Sequence, residues 1–184
     1  MKIACLGWGS LIWRPDNLLI RREWFADGVL LPIEFARQSK DGRLTLVITE
    51  TAKPIRTLWA LMATDDLVTA KKSLLTREEI PEKKLDTLIA SVSATEQTTD
   101  PIKVTIQNWA NNLDLDAVIW TNLPPKFINT DNRVPSLEEA IAYINSLDNH
   151  VRVITEDYVR RTPKQIDTEF RRKFETEFGW THIT

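Results

Sequence analysis

Cysteine is almost absent from this chain of 184 residues. Its one thiol, Cys5, closes no disulfide framework, and small secreted domains normally depend on several such bridges. Histidine is nearly as scarce: His150 and His182 stand far apart, and no His or Cys pair has the spacing of a metal site. A Cys–His or Ser–His catalytic pair would have to recruit one of those two histidines. There is no surplus of positive charge. The 24 Lys and Arg residues meet 26 Asp and Glu, for a formal net charge of −2. The clusters Arg160-Arg161 and Arg171-Arg172-Lys173 are diluted by Glu156, Asp157, Glu169 and Glu175, so nucleic acid is not an expected partner. No apolar run approaches the roughly 20 residues that cross a bilayer, so no membrane partner is expected. Only Lys2 precedes the first apolar stretch, without the apolar core of a secretion signal, and the expected setting is cytoplasmic. What is present is ordinary for a globular chain, 42% hydrophobic and 27% charged. The length suits a single domain spanning 1–184.

Lys2 to Leu6 is a short apolar run stopped by Gly7-Trp8-Gly9-Ser10. This predicts a buried first strand feeding a glycine-bearing turn. Pro15 and Asp16 interrupt the chain beyond that turn and leave Leu11 to Ile20 a short helix or irregular. Gly28 to Arg37 places Val29, Leu31, Ile33 and Phe35 on one alternating face, and Leu44 to Thr49 alternates again. The Asp41-Gly42 pair joins these runs as a hairpin. Thr57 to Met62 reads as a further strand. Thr64-Asp65-Asp66 starts a helix that runs to Arg77 on the spacing of Leu67, Ala70, Leu74 and Leu75, and Pro81 ends the unit. Lys83 to Ser93 reads as a second helix, and Thr95 to Pro101 as a loop. Ile102 to Trp109 reads as a strand on its Val104–Ile106 alternation, and Ala117 to Trp120 as a short apolar strand. Ser136 with Glu139 forms a capping box before Ala140 to Leu147. Thr162-Pro163 with Gln165 repeats that logic. Ile166, Phe170, Phe174 and Phe178 then recur every four residues up to Gly179, a natural stop. The layout is α+β, with a mixed or barrel-like sheet and helices packed on it.

The Gly-Trp-Gly-Ser turn is the most informative feature. Two glycines around one residue allow positive φ and close approach of a ligand, and successive N–H groups in such a turn form an anion nest. Its place after a strand suits phosphate or carboxylate capture. The third glycine of a dinucleotide fingerprint and a P-loop lysine are both missing, so a Rossmann cofactor is not expected. A tight turn that packs Trp8 and Trp13 accounts for the same residues. Glu34, Glu50, Glu78 and Glu79 stand beside apolar segments as acid/base candidates, although each also reads as a solvated surface charge. Trp8, Trp13, Trp59 and Trp120 fall at or near strand ends, where they line a pocket or the core.

Cys5-Leu6-Gly7-Trp8-Gly9-Ser10-Leu11-Ile12-Trp13 resembles the strand-and-loop signature of the γ-glutamyl cyclotransferase superfamily. The likeness is greatest to its cation-transport-regulator-like, glutathione-degrading branch, which carries Tyr-Gly-Ser-Leu-Ile-Trp. Pro32 to Val47, with Gln38-Ser39 and Gly42-Arg43, and Ile55 to Ala63 resemble the next strands of that branch. Leu75-Thr76-Arg77-Glu78-Glu79 resembles the segment holding the family's catalytic glutamate. The resemblance covers residues 2 to 80, and reaches only loosely over Trp120 to Phe127 and the C-terminal helices. It implies the γ-glutamyl cyclotransferase-like fold, Glu78 as catalytic residue with Glu79 as the alternative, and Gly7, Trp8, Gly9, Ser10 and Leu11 as substrate-binding residues. Two departures stand out: Trp8 replaces a tyrosine, and Glu79-Ile80-Pro81 stands where the family has glycine and tyrosine after its glutamate.

The implied reaction uses neither metal nor cofactor. The α-amino group of a γ-glutamyl amine or peptide attacks its own γ-carbonyl, 5-oxoproline forms and the amine leaves. Such an enzyme is classed among transferases or lyases. A non-catalytic binding or regulatory module of the same fold is the alternative, and a protein-interaction domain using the C-terminal helices is the third reading.

Overall fold

The computed structural model describes residues 1–183. In chain order the strands and helices are β1 (Ile3–Gly7), β2 (Leu30–Gln38), β3 (Leu44–Ile48), β4 (Pro54–Arg56), β5 (Leu58–Leu61), α1 (Leu67–Arg77), α2 (Leu85–Leu88), β6 (Ile89–Ser93), α3 (Pro101–Asn111), β7 (Ala117–Thr121), β8 (Lys126–Phe127), β9 (Thr130–Asp131), α4 (Leu137–Ser146), α5 (Asn149–Arg161) and α6 (Glu169–Phe178). The chain divides into two compact, interleaved units. One comprises Met1–Gly7, Arg14–Leu31 and Arg56–Leu123; the other comprises Trp8–Trp13, Pro32–Ile55 and the chain from Pro124 on.

In the first unit the strand order is β5-β1-β7-β6. β1 runs antiparallel to β5 and parallel to β7, and β6 runs antiparallel to β7. Every residue of β1 is buried, which is why its sequence is a continuous apolar run rather than an alternation. One face of this sheet carries Leu6, paired with Trp59, and Trp59 meets Trp109 of α3 edge-on at 5.6 Å. The other face carries Cys5, paired with Ile119. Helix α1 begins as its sequence predicts: the Asp66 carboxylate accepts the Thr69 N–H, and Ala70, Leu74 and Leu75 are buried. Gly28 is dictated by close approach, because a Cβ there would run into the Thr57 carbonyl.

Two expectations are corrected in this unit. Residues 102–109 are helical, within α3, and not a strand. Asp100 accepts the N–H groups of Ile102 and Lys103, Pro101 occupies the first turn, and Ile106 and Ala110 form the buried stripe. Of the predicted helix over 83–93, only a 3₁₀ turn at Glu82–Lys84 and the four residues of α2 are helical. Ile89–Ser93 pairs with β7 as β6, so tertiary pairing overrides the local preference.

In the second unit the order is β3-β2-β8-β9, with β4 also paired to β2. The β2–β3 hairpin turns at Gly42, whose φ of 86° lies in the left-handed region. β8 adds parallel to β2, with Lys126 beside Arg37. Both sheets therefore mix parallel and antiparallel pairs. The fold is α+β, and no closed barrel forms among the described residues. The Ser136–Glu139 capping box starts α4 as expected. The cap expected at Thr162-Pro163 is a correction: Thr162 ends α5, its hydroxyl donating to the Tyr158 carbonyl at 2.9 Å. The next helix starts at Thr168, which accepts the Arg171 N–H. Phe170 and Phe174 are buried on α6, and Gly179 ends it at φ 70°. Among the described residues, no helix is long and apolar enough to cross a membrane.

Candidate functional site

Glu78 is the residue on which α1 ends. Its N–H still donates to the Leu74 carbonyl at 3.0 Å, while Glu79 takes a left-handed φ of 52° and reverses the chain. Ile80 is then buried, its N–H returned to the Leu75 carbonyl. The reversal separates the two glutamates. The Glu78 side chain is 17% exposed, whereas Glu79 is exposed to solvent. Arg77, 9% exposed, pairs with Glu78: its Nη1 donates to Oε1 at 2.6 Å. The same guanidinium donates from Nε and Nη2 to the Arg14 carbonyl at 3.1 and 2.8 Å. Arg14 is where the chain re-enters the first unit after the glycine loop.

Burial pushes the Glu78 carboxyl above its ordinary value, against the pull of Arg77. Cys5 lies within the field of both groups. Its thiol is pushed up to about 12, by burial first and by the Glu78 charge second. Cys5 is therefore a neutral, packed thiol and not a nucleophile. Cys5 lies on β1, the strand that leads into the loop.

Gly7 closes β1 in the first unit, and Trp8, Gly9, Ser10 and Leu11 belong to the second. Neither Gly7 nor Gly9 has a left-handed φ, so the alternating nest expected of this turn is not formed. Gly9 is required for a different reason: a Cβ there would collide with the Tyr158 hydroxyl of α5. That hydroxyl accepts the Leu46 N–H at 3.4 Å, and the Trp8 indole N–H donates to the Leu46 carbonyl at 3.3 Å. Trp8 and Leu11 are each 7% exposed, and Ser10 is half-buried. Trp13 meets the Tyr158 ring edge-on at 5.5 Å, and the Arg43 guanidinium lies over that ring at 5.6 Å. Among the described residues, no backbone carbonyl accepts the N–H of Trp8, Gly9 or Leu11. The Ile12 N–H closes the turn on the Gly9 carbonyl at 3.0 Å.

Glu34 is buried in the second unit. Its carboxylate accepts the N–H groups of Phe35 and Phe170 at 2.8 and 3.3 Å and the Thr168 hydroxyl, so it caps the N-terminus of α6. Burial raises its pKa. It lines a cavity of about 550 Å³ with Lys53, Ser136, Asp167 and Arg172. Glu50 is exposed. No group of three or more His, Cys, Asp or Glu among the described residues is arranged to hold a metal ion.

Sequence reasoning passed over Arg77, Tyr158 and Thr121. Arg77 stood beside the chosen glutamate, but its link to Arg14 spans 63 residues. Tyr158 lies in α5, whose signals, the Asp148 cap and the following Pro163, stand in the sequence but were not used. Thr121 ends an apolar strand, and its buried Oγ1 has no hydrogen-bond partner among the described residues. Compared with protein-family models, curated protein sequences and solved structures, the chain matches none.

Proposed function

We propose that the chain is a γ-glutamyl cyclotransferase-like enzyme, with the fold of that superfamily, releasing 5-oxoproline from a γ-glutamyl amine or peptide. The observation that carries this reading is the state of Glu78: a mostly buried carboxyl, raised in pKa, at the end of α1 where the resemblance puts the catalytic glutamate. Proton carriage in both directions works best when the carrier's pKa lies near the working pH. In the proposed reaction Glu78 takes a proton from the substrate's α-ammonium. The freed nitrogen attacks the γ-carbonyl carbon and forms the ring bond. As the tetrahedral intermediate collapses, the bond to the departing nitrogen breaks and that nitrogen takes the proton from Glu78. The ring nitrogen's second proton follows by the same carboxylate, so the ring is left as the neutral lactam and the amine departs as an ammonium. Arg77 opposes the burial, which keeps the carboxylate available as a base. The resemblance implies Gly7, Trp8, Gly9, Ser10 and Leu11 as substrate-binding residues, with backbone N–H groups as donors to the substrate's carboxylate or to the developing oxyanion. Losing one such donor costs about 3–4 kcal/mol in the barrier.

The test is 5-oxoproline release from glutathione and other γ-glutamyl compounds by the wild type and by Glu78→Gln. Release by the first and none by a folded second supports the reading. Full activity in Glu78→Gln overturns it. One observation favours the non-catalytic reading instead: the Arg77–Glu78 pair already engages a carboxylate oxygen at 2.6 Å. On that reading γ-glutamyl compounds bind in calorimetry, but none yields 5-oxoproline.

A further inference from the structure

Parallel pairs in open sheets present ligand sites at the carboxyl ends of their strands. In the first unit that pair is β1 and β7, with Cys5 in register with Ile119. Two residues further along each strand stand Gly7 and Thr121. Side chains alternate along a strand, so Thr121 shares a sheet face with Ile119 and Cys5. Trp120 shares the opposite face with Leu6 and Trp59, where α3 packs. Helix α1, which ends at Arg77 and is followed by Glu78, also packs on β6 and β7, and, with α3 on the Trp59 face, it covers the Cys5 face. From strand rise and spacing, Thr121 and Cys5 have side-chain origins roughly 8 Å apart.

The Thr121 hydroxyl is sealed from solvent and has no hydrogen-bond partner among the described residues. A buried hydroxyl without a partner is costly, and such groups call for an explanation. An unpaired hydroxyl at the carboxyl end of a parallel pair, on the face of a buried acid/base candidate, is explained by a ligand. Valine has the same shape without the oxygen, and would satisfy the free chain better.

We propose that Thr121 is a substrate-binding residue whose Oγ1 hydrogen-bonds the α-amino-acid head of a γ-glutamyl ligand, the end on which Glu78 acts. The inference rests on the cyclotransferase reading for the identity of that head. A hydroxyl suits it because it donates to a carboxylate and accepts from an ammonium. Because the oxygen is sealed in the free chain, binding parts the side chains that cover it.

The test compares wild type with Thr121→Val and Thr121→Ser. Removing an unpaired hydroxyl leaves the free protein unharmed, so Thr121→Val is expected to melt at or above the wild-type temperature. Its KM for 5-oxoproline release from glutathione or γ-glutamylalanine is expected to rise about tenfold, with kcat little changed, and Thr121→Ser is expected to restore KM. A merely structural threonine gives the opposite pattern, with a lowered melting temperature and an unchanged KM. That pattern, or a wild-type KM in a stable Thr121→Val, overturns the proposal. If the wild type releases no 5-oxoproline, the cyclotransferase reading falls and the readout becomes the calorimetric Kd for the same two compounds. A Kd weakened in Thr121→Val and restored in Thr121→Ser keeps Thr121 as a binding residue. An equal Kd, or no binding to wild type, removes it.

Discussion

Gly9 owes its identity to a tyrosine 149 positions away, whose hydroxyl occupies the space a Cβ would need. The contact gives a coupled prediction. Gly9→Ala forces the Tyr158 ring or the loop to move, and overpacking of this kind costs about 1–3 kcal/mol. Tyr158→Phe removes the colliding oxygen along with the acceptor of the Leu46 N–H. In that background Gly9→Ala is expected to cost at least about 0.5 kcal/mol less, a coupling of the order seen for touching residues. Urea unfolding of the four proteins measures it, and strictly additive effects would show that the contact does not constrain the loop. The same scale explains why the sequence could not separate Glu78 from Glu79. The two are adjacent and identical in kind, and the difference is made by a single left-handed residue and the burial of Ile80. The reason given in the sequence for Gly7 and Gly9, positive φ, does not hold, yet the turn is where it was expected.

Elements were legible where a local signal decided them. Asp66 and the Ala70–Leu74 spacing define α1, Ser136 with Glu139 defines the start of α4, and Asp41-Gly42 defines the hairpin. They were illegible where two periods fit the same letters. Val104 and Ile106 alternate, but Ile102, Ile106 and Ala110 also stack at helical spacing, and the Asp100 cap settles the matter. β6 carries too little pattern of its own and exists by pairing with β7. At the N-terminus of α6 the cap is shared between Thr168 and Glu34, a residue 134 positions earlier in the chain, so local sequence showed only half of it. Glu34→Ala is expected to lower stability by about 1–3 kcal/mol, since the Phe170 N–H and the Thr168 hydroxyl both lose their acceptor. Glu34→Gln, which keeps one acceptor oxygen, is expected to cost less. Equal unfolding midpoints for wild type and Glu34→Ala would remove the carboxylate from the capping role.

At the scale of the whole molecule the two units are threaded through one another in sequence, the chain changing unit after Gly7, Trp13, Leu31, Ile55 and Leu123. A chain ending at Leu123 keeps all of the first unit and loses β8, β9 and α4–α6. Hydrogen exchange on that fragment is expected to show β1, β5, β6 and β7 still protected. Residues 32–55 should become accessible to protease, since Phe35 loses Phe174 and Leu46 loses Tyr158. Protection of 32–55 as in the full chain would contradict that division. The functional proposal turns on Glu78, which lies in the first unit. It is tested most directly by 5-oxoproline release from glutathione and γ-glutamyl amines across pH, for wild type, Glu78→Gln and Glu79→Gln. Burial raises Glu78, so the acid limb of the wild-type profile should lie above the ordinary glutamate value of about 4.3. Release should vanish in Glu78→Gln and persist in Glu79→Gln. Undiminished release by Glu78→Gln would contradict the assignment of Glu78 as the proton carrier.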